Sequence, residues 1–330
     1  MSFVLLIFIV LSEFIQQGSC WGAIGHRLIA RLAQAQLTPE GVDYVRELVP
    51  WHWHGNLSAM AVWGDDILYP DTNPTGYDNW QWSRPLHYIN TVPWSCEYNA
   101  EGDCKNDTCV DGAIRNYTKR LQSTLDQVQH EEALFFLIHF IGDIHQPLHV
   151  GFSNDYGGNR VQGYFMNISQ STNLHKIWDS DAINYRLRQD FFSNPNIYYD
   201  YIYQLMLRQN PLANDDDIHQ WIKESIEIVC QHVYFDDDRN QMNTTWRFHL
   251  KDKYFRESYQ IIEQRLAQGG RRLAALINHL AKTPRKTIQN QSAHHQSITT
   301  YILIAVLSAN FILLLCGIIY CFIQYKSKHK

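Results

Sequence analysis

No two cysteines in this chain are separated by two residues, which excludes the commonest thiolate zinc site. Basic residues are not in excess either: 28 Lys and Arg face 33 Asp and Glu, for a net charge of −5. That balance excludes a protein that tracks a duplex along a broad basic face. Internal repeats are missing and alternating β-patterns are scarce, so neither a solenoid nor an all-β fold is expected. At 330 residues, 45% hydrophobic and 13% aromatic, the chain is long and apolar enough to bury a large core.

Its two ends differ from the rest. Residues 1–20, "MSFVLLIFIVLSEFIQQGSC", carry about ten apolar residues and place Gly18 and Cys20 at the −3 and −1 positions of a cleavage site. No Lys or Arg precedes that run, but it is too short for a bilayer span, so it reads as a signal peptide cleaved after Cys20. Near the other end, Tyr301 to Ile323 are almost uninterruptedly apolar and long enough to cross a bilayer as a helix. The basic segment that follows, residues 324–330, favours the cytoplasmic side. Residues 282–300 are polar and read as a stalk. The sequence therefore predicts a single-pass type I membrane protein of the secretory pathway, with residues 21–281 extracellular or lumenal.

Cysteine usage fits that compartment. Of seven cysteines, Cys20 leaves with the signal and Cys316 and Cys321 fall in the span. Cys96, Cys104, Cys109 and Cys230 remain, enough for two disulfides in any of three connectivities. Glycosylation sequons stand at Asn56, Asn106, Asn116, Asn167, Asn243 and Asn290.

Between the ends the pattern is mainly α. Leu28, Ile29, Leu32 and Ala33 recur at helical spacing, and Thr38–Pro39 form an N-cap and first helical residue. Further helices are expected near 56–67, 110–128, 131–146, 172–190, 197–208, 215–234 and 254–281. Gly157–Gly158 and the alternation of Val161, Tyr164 and Phe165 suggest a short hairpin.

The densest chemistry lies in "EEALFFLIHFIGDIHQPLHV", residues 131–150. His139 and Asp143, four apart, share one helix face. Pro147 ends or kinks that helix and lets His149 leave the shared face. His175 and Asp179 in "NLHKIWD" repeat the four-residue spacing. Imidazole and carboxylate are the ordinary non-thiolate zinc ligands, and Asp143 sits in an apolar run where a lone buried carboxylate is costly. "AVWGDDILY" adds Asp65 and Asp66, and "RPLHYIN" adds His87.

Taken in order, "WGAIGH", "WGDD", "HYIN", "HFIGDIHQPLH", "GGN" and "NLHKIWD" resemble the zinc-dependent class I single-strand-specific nuclease family across about residues 21 to 280. That family holds fungal extracellular nucleases, plant bifunctional nucleases and membrane-anchored trypanosomatid 3′-nucleotidase/nucleases. The resemblance implies a mainly α phospholipase C/nuclease-type domain with a trinuclear zinc cleft, to which the apolar run 301–323 adds one C-terminal transmembrane helix.

It further implies that Asp65, His87, His139 and Asp143 hold one zinc of a close pair. The Trp21 amine and carbonyl, His26 and the bridging Asp143 would hold its mate, and His149, His175 and Asp179 the third Zn²⁺ ion. It implies Cys96–Cys230 and Cys104–Cys109 bridges and a base-stacking Tyr88, with Asn90 at a base edge and Tyr156 nearby. Asp65 would also orient the attacking water, while His145 has no assigned ligand role.

The implied activity is hydrolysis of P–O3′ bonds in single-stranded RNA and DNA and dephosphorylation of 3′-nucleotides. No protein partner is implied. Three zinc ions add about +6 locally, which suits phosphate capture with base stacking despite the acidic net charge. One departure stands out: where the family carries a basic, phosphate-holding residue three positions after the first aspartate, this chain has Leu68. Arg84 is the nearby candidate to replace it. A phospholipase C-like phosphodiesterase and a catalytically dead, membrane-tethered binder of zinc or nucleic acid are the competing readings.

Overall fold

The computed structural model describes residues 21–209 and 216–285. Contacts divide the chain into units 1–285 and 286–330, and only the first contains described residues. The signal peptide, the apolar segment 301–323, the basic tail and all of the stalk beyond Arg285 lie outside the described residues. Among the described residues, no helix is long and apolar enough to cross a membrane.

Among the described residues twelve α-helices appear in chain order: α1 (Ala23–Gln34), α2 (Pro39–Leu48), α3 (Leu57–Met60), α4 (Trp63–Asp66), α5 (Ala100–Asp103), α6 (Val110–Leu121), α7 (Gln127–Ile144), α8 (Leu174–Lys176), α9 (Ala182–Asp190), α10 (Pro195–Arg208), α11 (Ile218–Ile228) and α12 (Asp252–Lys282). As the sequence predicts, the architecture is mainly α. Thr38 caps α2 by accepting the Gly41 amide, with Pro39 at the first helical position.

The central element is α7, buried continuously from Ala133 to Ile144 and packed against α1, α4, α6 and α12. Each fully buried Leu or Phe along it contributes about 1.5–3 kcal/mol. Phe136 lies 4.9 Å from the Tyr117 ring of α6, which fixes the helix against its neighbour. Asp126 starts α7 by accepting the Gln129 amide. That cap also explains why the helix expected over 110–128 stops at Leu121. The other end closes before Pro147, with Gln146 extended as a residue preceding proline must be.

Two expected helices are interrupted. The span 56–67 breaks into α3 and α4 because the Ala61 carbonyl accepts the His139 Nδ1–H at 2.7 Å instead of an amide one turn on. The span 172–190 begins as a strand and passes through a π-helical turn, Ile177–Asp181, that contains Asp179.

The hairpin is realised differently from expectation. β1 (Gln162–Phe165) pairs antiparallel with β2 (Thr172–Asn173) and parallel with β3 (Phe248–Leu250). Gly157 and Gly158 are not its turn; they shape a loop beside His175. Cys96–Cys230 and Cys104–Cys109 are bonded. The last helix includes Lys282, and Arg285 still pairs with Glu47, so the globular part extends past the expected stalk boundary.

Candidate metal centre

Buried His and Asp side chains converge in three groups: Asp65, His87 and His139; His26, His139 and Asp143; and His149, His175 and Asp179, with donor atoms in each within 4.8 Å of one another. In the first, His139 Nε2 lies 3.5 Å from Asp65 Oδ1, 3.5 Å from Asp143 Oδ2 and 3.2 Å from His87 Nδ1. His87 Nδ1 lies 3.1 Å from Asp143 Oδ2 and 3.9 Å from Asp65 Oδ1. Ligands about 2.0–2.1 Å from a tetrahedral ion stand about 3.3 Å apart, so these separations describe the shell of such an ion.

The two oxygens of Asp143 face different neighbours. Oδ2 belongs to the first group, whereas Oδ1 lies 3.3 Å from His26 Nε2 and 3.7 Å from His149 Nδ1. His26 stacks on His139 with ring centroids 3.9 Å apart. In the third group His175 Nε2 is 3.2 Å from Asp179 Oδ2, and His149 Nε2 is 3.9 Å from Asp179 Oδ1.

Backbone carbonyls aim the imidazoles. Besides the His139–Ala61 bond, His149 Nδ1 donates to the His87 carbonyl and His175 Nδ1 to the Gly157 carbonyl, each at 2.7 Å. Each bond selects the tautomer that leaves Nε2 with a lone pair facing the cluster. Two glycines make room. A Cβ on Gly142 would lie 2.5 Å from His26 Nδ1. At Gly157, where φ is +59°, it would lie 2.4 Å from the Leu148 carbonyl oxygen.

The donor set asks for cations. Both ring nitrogens of His26, Asp65 Oδ1, both Asp143 oxygens, His149 Nε2 and Asp179 Oδ2 are buried without a hydrogen-bond partner. Such a concentration of unsatisfied polar atoms is costly unless metal ions complete them. Burial resists charge on Asp143, but the surrounding imidazoles, His139 and His149 first and then His26 and His87, outweigh it and hold the carboxyl well below its ordinary range. Burial also opposes charge on His139, yet Asp143 and Asp65 raise its pKa to about 9.

Burial and the neighbouring His139 lower His26 to about 4, and burial with His149 lowers His175 to about 3. Asp179 is pushed well above the carboxylate range by burial, only partly offset by the Gln146 amide at 2.6 Å. Burial thus holds His26 and His175 neutral and keeps Asp179 from ionising unless a positive partner offsets it.

Residues 21–282 match the family described as S1/P1 Nuclease. The chain belongs to the S1/P1 nuclease family. It is 34% identical over 300 residues to Endonuclease 3 of Arabidopsis thaliana, covering 84% of this chain and 95% of that protein. It is 36% identical to Endonuclease 4 of the same plant, over 82% and 93% of the two chains. Nuclease S1 of Aspergillus oryzae is 28% identical, over 80% and 93%.

Around this S1/P1 centre the remaining sequence-predicted residues fall into place unequally. Trp21 is fully buried, and the Gly22 amide donates to the Asp179 carbonyl at 2.9 Å, so the start of the described chain lies beside the third group. Ile89 and Thr91 amides bond the His149 and Gly151 carbonyls, making 88–91 an extended segment along the site. Its alternation buries His87 and Ile89 and turns Tyr88 and Asn90 outward. Tyr88 is half-buried, and Tyr156 is 54% exposed with the Arg160 guanidinium 4.2 Å from its ring centroid.

His145 turns away from the metal groups. Its Nδ1–H donates to the Ile141 carbonyl, and its Nε2 accepts from Arg272. Sequence reasoning missed the carbonyls of Ala61 and Gly157, which carry no side-chain signal. It also missed Gln146, Gly64 and Gly142, although the two glycines each stand next to a ligand candidate and Gln146 lies three residues from two of them. A glycine within the apolar run before Asp143 was the available sign.

Proposed function

We propose that this protein is an extracytoplasmic zinc-dependent phosphoesterase. It hydrolyses P–O3′ bonds of single-stranded RNA and DNA to 5′-nucleotides and dephosphorylates 3′-nucleotides. The carrying observation is the set of unsatisfied, buried donor atoms in three adjoining His/Asp groups. Membership of the S1/P1 nuclease family and likeness to proteins named endonuclease and nuclease support the reaction class.

In this reading Asp65, His87, His139 and Asp143 hold one ion. Trp21, through its freed amine and carbonyl, holds the second with His26 and Asp143, and His149, His175 and Asp179 hold the third. Bound zinc supplies Lewis acidity, a lowered water pKa and charge neutralisation at the phosphoryl oxygens. The protein supplies the rest. Asp65, whose side chain is 13% exposed against 0% for Asp143, is the carboxylate that meets solvent and orients the attacking water. Tyr88 stacks an unpaired base, Asn90 meets its edge, and Tyr156 closes the same rim. Base stacking in place of a basic track also accounts for the acidic net charge.

The reading extends to location: signal cleavage after Cys20, a polar stalk, a span at 301–323 and a cytoplasmic basic tail, with the six sequons on the extracytoplasmic side. The test is the purified protein in zinc, assayed on 3′-AMP, single-stranded DNA and phosphatidylcholine, with metal content measured by mass spectrometry. Hydrolysis of the first two with three zinc ions per chain is expected. Intact 3′-AMP and DNA would refute the activity, and cleavage of phosphatidylcholine alone would transfer the protein to the lipase reading.

A further inference from the structure

A phosphate drawn to the metal groups brings its own negative charge into a site already lined by Asp65, Asp143 and Asp179. A cation that is not a metal ligand is therefore expected at its edge. Leu68 does not provide one: it is 3% exposed and packs in the core. Its neighbourhood is nevertheless positively charged. The Leu68 amide bonds the Asp65 carbonyl at 2.9 Å, placing residue 68 one tight turn beyond a metal-facing carboxylate.

The guanidinium of Arg84 reaches the same point from another element, with Nη2 3.5 Å from the Leu68 carbonyl oxygen. Arg84 and His87 both belong to the 3₁₀ helix Tyr77–His87. On such a helix, residues three apart eclipse one another and lie about 6 Å apart along the axis. Two tight turns, one carrying Asp65 and the other His87, thus meet with a single guanidinium between them.

That group is held in position. The Gln81 side-chain oxygen Oε1 accepts from Arg84 Nε at 3.2 Å and from Nη2 at 3.1 Å. The Gln81 amide donates back to the Leu68 carbonyl at 3.0 Å and to Tyr77 at 2.9 Å. The Tyr69 ring lies 5.2 Å from the guanidinium carbon. Arg84 also acts electrostatically on Tyr88 at the outer rim. The guanidinium therefore sits at the Leu68 turn, with Asp65 three residues before Leu68 on one element and His87 three residues after Arg84 on the other.

We propose that Arg84 binds the substrate phosphate, supplying from the 3₁₀ helix the cationic group that Leu68 lacks, with Gln81 as its positioning residue. The inference rests on the phosphoesterase reading above. A fixed guanidinium forms charge-assisted bonds to phosphate, and its loss costs roughly 10- to 100-fold in affinity for the anion.

The experiment uses full-length, zinc-loaded protein and two readouts: calorimetric binding of inorganic phosphate, and kcat and KM on 3′-AMP. Arg84→Met is expected to weaken phosphate binding and kcat/KM by roughly 10- to 100-fold with zinc content unchanged. Arg84→Lys should retain part of both, because it keeps the charge while losing the planar fork. Gln81→Ala should raise KM more than it lowers kcat.

Unchanged phosphate binding in Arg84→Met overturns the proposal, as does a loss matched by loss of zinc. If wild-type protein binds phosphate through Arg84 but hydrolyses nothing, the phosphoesterase reading fails while this assignment stands.

Discussion

Asp143→Asn replaces one oxygen of the most deeply shared side chain with an amide nitrogen, at nearly constant volume. In the structure Oδ2 faces His87 and His139, at 3.1 and 3.5 Å, while Oδ1 faces His26 at 3.3 Å. No rotation of an asparagine satisfies both sides, because its NH₂ has no lone pair for a cation. The substitution also removes the negative charge lying between two expected dications. One lost bridging ligand is worth several kcal/mol, and each 1.36 kcal/mol is tenfold, so activity should fall by about a thousandfold or more. Bound zinc should drop by one to two ions per chain. Mass spectrometry and 3′-AMP turnover report the two losses, and far-ultraviolet dichroism shows that the helices persist. Near-normal turnover, or full zinc with no turnover loss, would refute the bridging geometry.

Three other expectations follow from separate parts of the molecule. Gly157→Ala strains a left-handed residue and drives a methyl against the Leu148 carbonyl, costing about 1–3 kcal/mol; thermal melting should show it, together with reduced occupancy of the His149–His175–Asp179 group. Glu224 pairs with Arg265 and Arg272; burial raises its pKa, but the Arg272 hydrogen bond and the Arg265 charge outweigh this and hold it below 4.5. A depressed folded pKa gives stability that is full above the unfolded value and is lost as pH falls through the folded one. Glu224→Gln should therefore melt lower at neutral pH and flatten the stability curve below about pH 4.5. Inserting one residue between Cys20 and Trp21 should yield a secreted protein that loses zinc from the proposed Trp21 site and loses activity, since the freed amine would be displaced; a fully active insertion variant would remove Trp21 from the ligand set.

Local chemistry explains why so much was legible in the chain. The four-residue spacings of His139–Asp143 and His175–Asp179 state a shared face as soon as a helix is assumed, and Thr38–Pro39 announce the helix they begin. Where reading along the chain failed, a distant partner had intervened. The helix over 56–67 breaks because His139 takes the Ala61 carbonyl from 78 residues away. Gly157–Gly158 resemble a hairpin turn, yet they bend the backbone toward His175, and β1 takes its parallel partner from Phe248–Leu250. Periodicity reports which residues face together within an element and says nothing of which carbonyl a distant histidine will choose.

The sequence by itself determined the mainly α class and nearly all the side chains that gather in the three His/Asp groups, because periodicity and donor chemistry are local properties. Only the tertiary structure decided which donors gather in which group, which imidazole nitrogen faces inward, and that Asp143 presents its two oxygens to different neighbours. It alone also brought Arg84 to Leu68, 16 residues apart in the chain. Those outcomes depend on the approach of α1, α4 and the 3₁₀ helix to the buried face of α7. That approach is set by packing across the whole core.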